Sequence, residues 1–233
     1  MKKLIILSIV LVGTMSSCSN QVTSGNKSLN SEKDSLSNAI GLMMGNQLKS
    51  TEDVDIDKNM VYNAMEKIMN ASESELDSME KYELKEAREF FRNYMTVTVP
   101  KKKAEASESF LEGISKEEGV KKTESGLYYK IVNMGDENVK ALCETDTVKV
   151  NYVGTTIDGK EFDSSIKRGT PATFSLNRVI KGWTEGVQLV GKGGKIILYI
   201  PSELGYGSRG RLGNQTLIFD IDLLDVMPSV ENK

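Results

Sequence analysis

The 233-residue chain contains no histidine. That absence removes a histidine general base, a Ser-His-Asp or Cys-His nucleophile and any imidazole-ligated metal. Cysteine is scarce as well: Cys18 and Cys143 are the only two, too few for a thiolate zinc cluster and enough for one internal disulfide at most. A basic excess is also missing, since 30 Lys and Arg face 33 Asp and Glu for a net charge of −3. Nucleic acid is therefore not an expected partner. Tryptophan occurs once, as Trp183 in the stretch VIKGWTEGV, between glycines and close to charged Lys181 and Glu185. A single large ring in so polar a segment calls for a specific use.

The first 17 residues, MKKLIILSIVLVGTMSS, join a Lys-Lys start to an apolar run from Leu4 to Val12 and then to small polar residues. This is a secretory signal pattern; the alternative, an uncleaved membrane anchor, needs an apolar span of about 20 residues. Small residues leading directly into Cys18 resemble the bacterial lipoprotein signal, in which that cysteine is lipidated and becomes the first residue of the mature protein. On this reading Cys143 has no partner and is a small buried hydrophobe. Residues 18–30 are polar and aperiodic, as a flexible tether would be.

From Ser31 the texture becomes helical. Ser31 and Asp34 make a capping-box-like start to a helix with Leu36, Ile40, Met43 and Leu48 at helical spacing. A second helix opens at Asp57, with Met60, Val61, Ala64, Met65 and Ile68 on one face, and a third runs from about Leu76 through Phe90 to Met95. Seven methionines (43, 44, 60, 65, 69, 79 and 95) sit in this region. Their stripe is read as core or dimer packing, with an adaptable client-binding surface as the alternative. Residues 31–98 thus form an all-α domain whose core is thin unless it pairs or docks. Pro100 is expected to break or kink the chain before a linking helix over 99–118, because proline lacks a donor and crowds the preceding turn.

Beyond Ser125 the period changes to two. SGLYYKIVNM, DTVKVNYVGTT, KIILYIP and TLIFDIDLLDV read as strands, and Asp158-Gly159 as a hairpin turn. Val179, Ile180, Trp183, Val187 and Val190 recur at helical spacing. The expected fold class is α+β: residues 119–228 form an antiparallel sheet of four to six strands wrapped on one short helix, preceded by the helical domain and its linking helix.

Two glycine motifs invite cofactor readings and fail them. GYGSRG, with Gly205, Gly207 and Gly210, has dinucleotide-site spacing but is followed by loop and strand, not by the helix a pyrophosphate needs. GKGGK, residues 191–195, lacks the spacing and hydroxyl of a phosphate loop.

What remains is a dispersed set in fixed order: VNYVG, EFDSS, VIKGWTEG, LYIPSELGYG and TLIFDIDLLDV. Together they resemble the FKBP-type peptidyl-prolyl isomerases over nearly all of residues 119–227, and SNAIGLMMGNQLK with VDIDKN resembles the amino-terminal dimerisation domain of the Mip-like members. The resemblance implies a peptidyl-prolyl cis-trans isomerase acting on proline-containing polypeptides, a homodimer through the amino-terminal helices, and neither metal nor cofactor. With the lipid anchor at Cys18 it implies a cell-envelope location, on the outer membrane.

Rotation about an X–Pro amide faces a barrier of about 18–20 kcal/mol because twisting removes amide resonance. No bond breaks, so a dry, shaped pocket that favours the twisted amide suffices. Carried over by resemblance, Trp183 is the floor under the proline ring and Tyr152, Phe162, Val179, Ile180 and Phe219 are walls. Asp163 sits beside the twisting carbonyl, Tyr206 and the Ile180 N–H hold substrate carbonyls, and Arg168 orients Asp163 and Tyr152. Ala172 stands where the family usually has an aromatic, so one wall is expected to be thin. Leu212 takes the closing position in a loop without the family's Ile-Pro-Pro run. The rival readings are a client-holding chaperone with little isomerase activity and a structural envelope lipoprotein.

Overall fold

The computed structural model describes residues 31–49 and 54–229, so the signal segment, the tether and Cys18 lie outside the described residues. Contacts divide the chain after Asp53. The described part of the first unit is one helix, α1 (Glu32–Lys49), whose start Ser31 caps: its Oγ accepts from the Asp34 N–H at 3.1 Å and donates to Asp34 Oδ2 at 2.7 Å.

The second unit opens with α2 (Lys58–Met69), α3 (Glu73–Lys81) and α4 (Glu83–Asn93). Asp57 caps α2, accepting from Asn59 and Met60 as the sequence suggests. The stretch read as a single third helix starts earlier, at a Ser72–Glu75 capping box, and is interrupted at Tyr82 (φ −121°, ψ −74°). Pro100 does not break the chain. A π-helical turn, Tyr94–Thr98, precedes it and α5 (Val99–Ile114) follows, with the Val99 N–H donating to the Tyr94 carbonyl. The wider turn makes room for the pyrrolidine ring, which an α-turn would press against the carbonyl four residues back.

α5 is no free arm. Val99, Ser107 and Ile114 are buried, and Phe110 meets Tyr199 with ring centroids 6.2 Å apart. The positions 99, 103, 107, 110 and 114 recur at helical spacing, so one face of α5 docks on the sheet domain.

That domain contains β1 (Val120–Lys122), β2 (Tyr128–Asn133), β3 (Asp136–Lys140), β4 (Thr147–Thr156), β5 (Glu161–Ser164), β6 (Ala172–Ser175), α6 (Lys181–Gly186), β7 (Gly191–Lys192), β8 (Lys195–Ile200) and β9 (Leu217–Met227). The main sheet is antiparallel in the order β1-β2-β8-β9-β4-β5, with β6 also paired to β4; β3 and β7 form a separate ribbon. The main sheet thus has seven strands, where four to six were expected. The difference lies in segments such as β1 and β6, of three and four residues, too short to display a period. The long strands β4 and β9 do alternate, and pair Tyr152 with Ile221 and Gly154 with Phe219.

The segment read as one helix from Val179 is shorter in fact. Six residues form α6, flanked by 3-10 turns Leu176–Arg178 and Val187–Leu189, and Val179 and Ile180 precede it in extended backbone. Two glycines bring α6 close to the sheet: a Cβ on Gly182 would lie 2.6 Å from Ile200 Cγ2, and one on Gly186 would lie 2.5 Å from Leu198 Cδ2. Trp183, between them in sequence, enters a core that includes Val148, Val150, Val187, Leu198, Ile200 and Leu223.

The Asp158-Gly159 turn forms as read, with Gly159 at φ 80° and its N–H bonded to the Thr156 carbonyl at 2.9 Å. Cys143 is half-buried rather than a buried hydrophobe, with its sulfur 3.0 Å from Thr145 Oγ1 and 3.8 Å from Ser229 Oγ.

Candidate active site

A cavity of about 620 Å³ is lined by residues of α6, of strands of the main sheet and of the connecting loops. Tyr152 comes to it from β4, Phe162 and Asp163 from β5, and Phe219 from β9. Val179 and Ile180 come from the extended residues before α6, Trp183 from α6 itself, and Tyr206 and Leu212 from the loop before β9. Nine of the ten pocket residues named from the sequence therefore line one cavity. Arg168 is not in the lining but bonds to it, as described below. Helical spacing is not what gathers Val179, Ile180 and Trp183, since the first two are not helical. Ile180 is the N-cap of α6; its carbonyl accepts from Trp183 and Thr184, and its own N–H lies outside the helical ladder.

The sequence reading missed Phe174 and Arg178, which also line the cavity. Phe174 was findable: on β6 it is two residues from Ala172, so both point to one face. Its ring stands 5.7 Å from Trp183 and 6.1 Å from Tyr152, so the wall beside Ala172 is not thin. No spacing or motif marked Arg178.

Trp183 is the centre of the aromatic set, at 3% exposure. Tyr152, Phe174 and Phe219 meet it at 5.0, 5.7 and 5.2 Å, each within 2° of perpendicular. Phe162 in turn meets Phe219 at 5.5 Å and 88°. Edge-to-face pairs of this kind contribute about 0.5–1.5 kcal/mol each beyond area burial, and their geometry fixes ring orientation. The Trp183 Nε1–H is buried with no partner among the described residues.

One carboxylate stands in this largely apolar setting. Asp163 accepts from the Tyr152 hydroxyl at 2.5 Å and from Arg168 Nη1, while Arg168 Nη2 donates to the Tyr152 oxygen at 2.8 Å. Burial alone would raise the Asp163 carboxyl, but the hydrogen bonds from Tyr152 and Arg168 outweigh it and hold the group below the usual carboxylate range. Burial, then the adjacent Asp163, push the Tyr152 phenol upward. At neutral pH the triad is therefore a carboxylate, a neutral phenol and a guanidinium. An ionised carboxylate with both oxygens engaged is suited to a fixed electrostatic part, not to proton transfer or covalent attack.

Known proteins resemble this chain in sequence and in fold. Residues 139–224 match the family model of the FKBP-type peptidyl-prolyl cis-trans isomerases, and residues 33–131 match the model of the domain amino terminal to such isomerases. A Haemophilus influenzae protein named "Probable FKBP-type peptidyl-prolyl cis-trans isomerase" is 38% identical over 214 residues, covering 86% of this chain and 88% of the relative. The FKBP-type isomerase FkpA of Escherichia coli is 52% identical over 123 residues, which span 52% of this chain and 45% of that relative. The crystal structure of FkpA from Escherichia coli superposes with a TM-score of 0.61 at 34% identity, covering 86% of this chain and 99% of the other. By family models, by identity over most of its length and by fold, this chain belongs to the FKBP-type peptidyl-prolyl cis-trans isomerases and carries their amino-terminal domain ahead of the catalytic one.

Proposed function

We propose that the aromatic cavity centred on Trp183 is where this isomerase turns X–Pro bonds. The single observation carrying the assignment is the set of three rings that each stand edge-to-face on Trp183, with one anchored, ionised carboxylate beside them. The proline ring sits on Trp183, walled by Tyr152, Phe162, Phe174, Val179, Ile180 and Phe219. Water stabilises the planar amide more than the twisted one, because resonance places negative charge on the planar carbonyl oxygen. Moving the bond into an apolar cavity removes part of that preference.

Asp163 stands beside the carbonyl carbon, which grows more electron-poor as conjugation is lost. Arg168 holds Asp163 and Tyr152 in place. The Tyr206 hydroxyl and the Ile180 N–H fix substrate carbonyls, and Leu212 closes the open side. No intermediate is covalent and no cofactor takes part.

Isomerisation of proline tetrapeptides by the wild type and by Phe219→Ala and Asp163→Ala tests the assignment. Wild type and variants turning over equally slowly, with aggregation of a client still suppressed, would replace it by the client-holding reading.

The substrates we infer are exported, proline-containing polypeptides, met by a homodimer held to the cell envelope through lipid on Cys18. Support for the dimer comes from the apolar side chains that α2–α4 leave exposed, among them Met60, Met69, Tyr82, Phe90 and Phe91. Light scattering on residues 19–233 at micromolar concentration is expected to give twice the chain mass; a monomer mass removes the dimer. Among the described residues no helix is long and apolar enough to cross a membrane. On the lipoprotein reading membrane attachment depends on Cys18, and Cys18→Ala is expected to release the protein from the membrane fraction; retention of the variant there overturns the anchor.

A further inference from the structure

We propose that α5 is the rear support of the loop that closes the pocket, and that Ser107 is a positioning residue for isomerisation, acting through Thr216. The inference rests on the assignment of Tyr206 and Leu212 to the substrate pocket.

Residues 205–216 connect the 3-10 turn Ser202–Leu204 to β9, and they supply two of the cavity's lining residues, Tyr206 and Leu212. The loop is partly self-supporting: the Gly207 N–H reaches the Ser202 carbonyl and the Asn214 N–H the Gly207 carbonyl, each at 2.7 Å. Its far end is held from outside. The Thr216 N–H donates to Ser107 Oγ at 2.7 Å, across 109 residues of sequence. One turn earlier on the same face of α5, Lys103 Nζ donates to the Arg211 carbonyl at 2.9 Å. The two contacts grip the loop on either side of Leu212.

Burial makes the Ser107 contact consequential. Ser107 is 8% exposed and Thr216 fully buried, so water does not replace a lost partner for that N–H. A buried serine inside a helix is otherwise a poor choice, since its hydroxyl competes with the helical backbone. Here it is the buried polar member of the docking stripe 99, 103, 107, 110 and 114, set opposite the Thr216 backbone donor. Thr216 lies three residues before Phe219 and four after Leu212, so its placement bears on both pocket walls.

The test uses the full chain carrying Ser107→Ala, Ser107→Thr, Leu212→Ala, Tyr206→Ala, Phe219→Ala or the Ser107→Ala/Leu212→Ala pair, assayed for kcat and KM on a proline tetrapeptide. Thermal unfolding and amide exchange at Thr216 are measured on the same samples. Ser107→Ala is expected to speed exchange at Thr216 and raise KM about fivefold or more with kcat little changed, at loop displacements too local to abolish the unfolding transition. Ser107→Thr, which keeps the acceptor, is expected to retain the wild-type KM. The pair is expected to raise KM less than the product of the two single effects, because both changes act on one loop.

An unchanged KM for Ser107→Ala despite faster exchange at Thr216 overturns the proposal, as do fully multiplicative effects in the pair. A raised KM for Ser107→Ala alongside an unchanged KM for Leu212→Ala and Tyr206→Ala overturns the route through the loop. Normal KM in Leu212→Ala and Tyr206→Ala together with normal turnover in Phe219→Ala is the separate result that overturns the pocket assignment itself.

Discussion

Gly154 and Phe219 face each other across the β4–β9 ladder, and a Cβ on Gly154 would lie 2.8 Å from Phe219 Cε1 and 2.9 Å from Phe162 Cζ. The missing side chain is what lets these two rings meet at 5.5 Å over the strand. Gly154→Ala is therefore expected to push Phe162 and Phe219 outward. It should lower kcat/KM at least tenfold, at a stability cost of about 1–3 kcal/mol. Peptide isomerisation and urea unfolding of the variant check both; unimpaired turnover would mean that the rings' mutual placement is not needed.

Trp183 is expected to be indispensable to turnover and expendable to the fold. Trp183→Leu keeps an apolar residue on α6 and should cost less than the about 3–5 kcal/mol of a Trp→Ala truncation. Circular dichroism is expected to show the same sheet while kcat/KM falls by two orders of magnitude or more, roughly 3 kcal/mol of transition-state stabilisation.

Asp163 sets the pH behaviour. Its carboxyl lies lower in the folded chain than in the unfolded one, about 3.9. The stabilisation its partners provide is therefore complete above the unfolded value and is lost as pH falls through the folded one. The Tyr152 phenol is shifted upward, away from neutrality. Activity is thus expected to stay flat across roughly pH 5–8. A kcat/KM profile with a mid-range inflection would show that some other group titrates in the reaction. Asp163→Asn, which leaves the Arg168 guanidinium without its carboxylate, is expected to lower kcat/KM about tenfold at every pH in that range.

Gly182→Ala and Gly186→Ala probe α6 against β8. Each added methyl would meet a buried aliphatic side chain, Ile200 or Leu198, at under 3 Å. Overpacking of this kind typically costs about 1–3 kcal/mol. Both variants are expected to unfold at lower urea concentration than wild type, with Trp183 fluorescence as the probe.

Much of the pocket was legible because five segments in fixed order resemble the FKBP-type isomerases and carry its residues over together. Of these residues, Trp183 alone stood out by its own surroundings, a large ring in a charged stretch. Phe174 was hidden because its strand is four residues long, and Arg178 because a surface arginine looks the same wherever it points. Val179 and Ile180 line the same cavity as Trp183, but not through the helical spacing they show in the sequence, since the helix begins only at Lys181.

The sequence alone determined the α+β class, the change of period near Ser125, the caps at Ser31 and Asp57 and the exclusion of histidine-dependent chemistry. Those follow from near-neighbour physics, in which a side chain acts within one helical turn or one pleat. Tertiary structure decided what contacts distant in sequence control. It placed Phe174 against Trp183, joined Arg168 to Asp163 and Tyr152, and absorbed Pro100 in a π-turn. It also set Ser107 of α5 under Thr216, a partnership across 109 residues that no local pattern encodes.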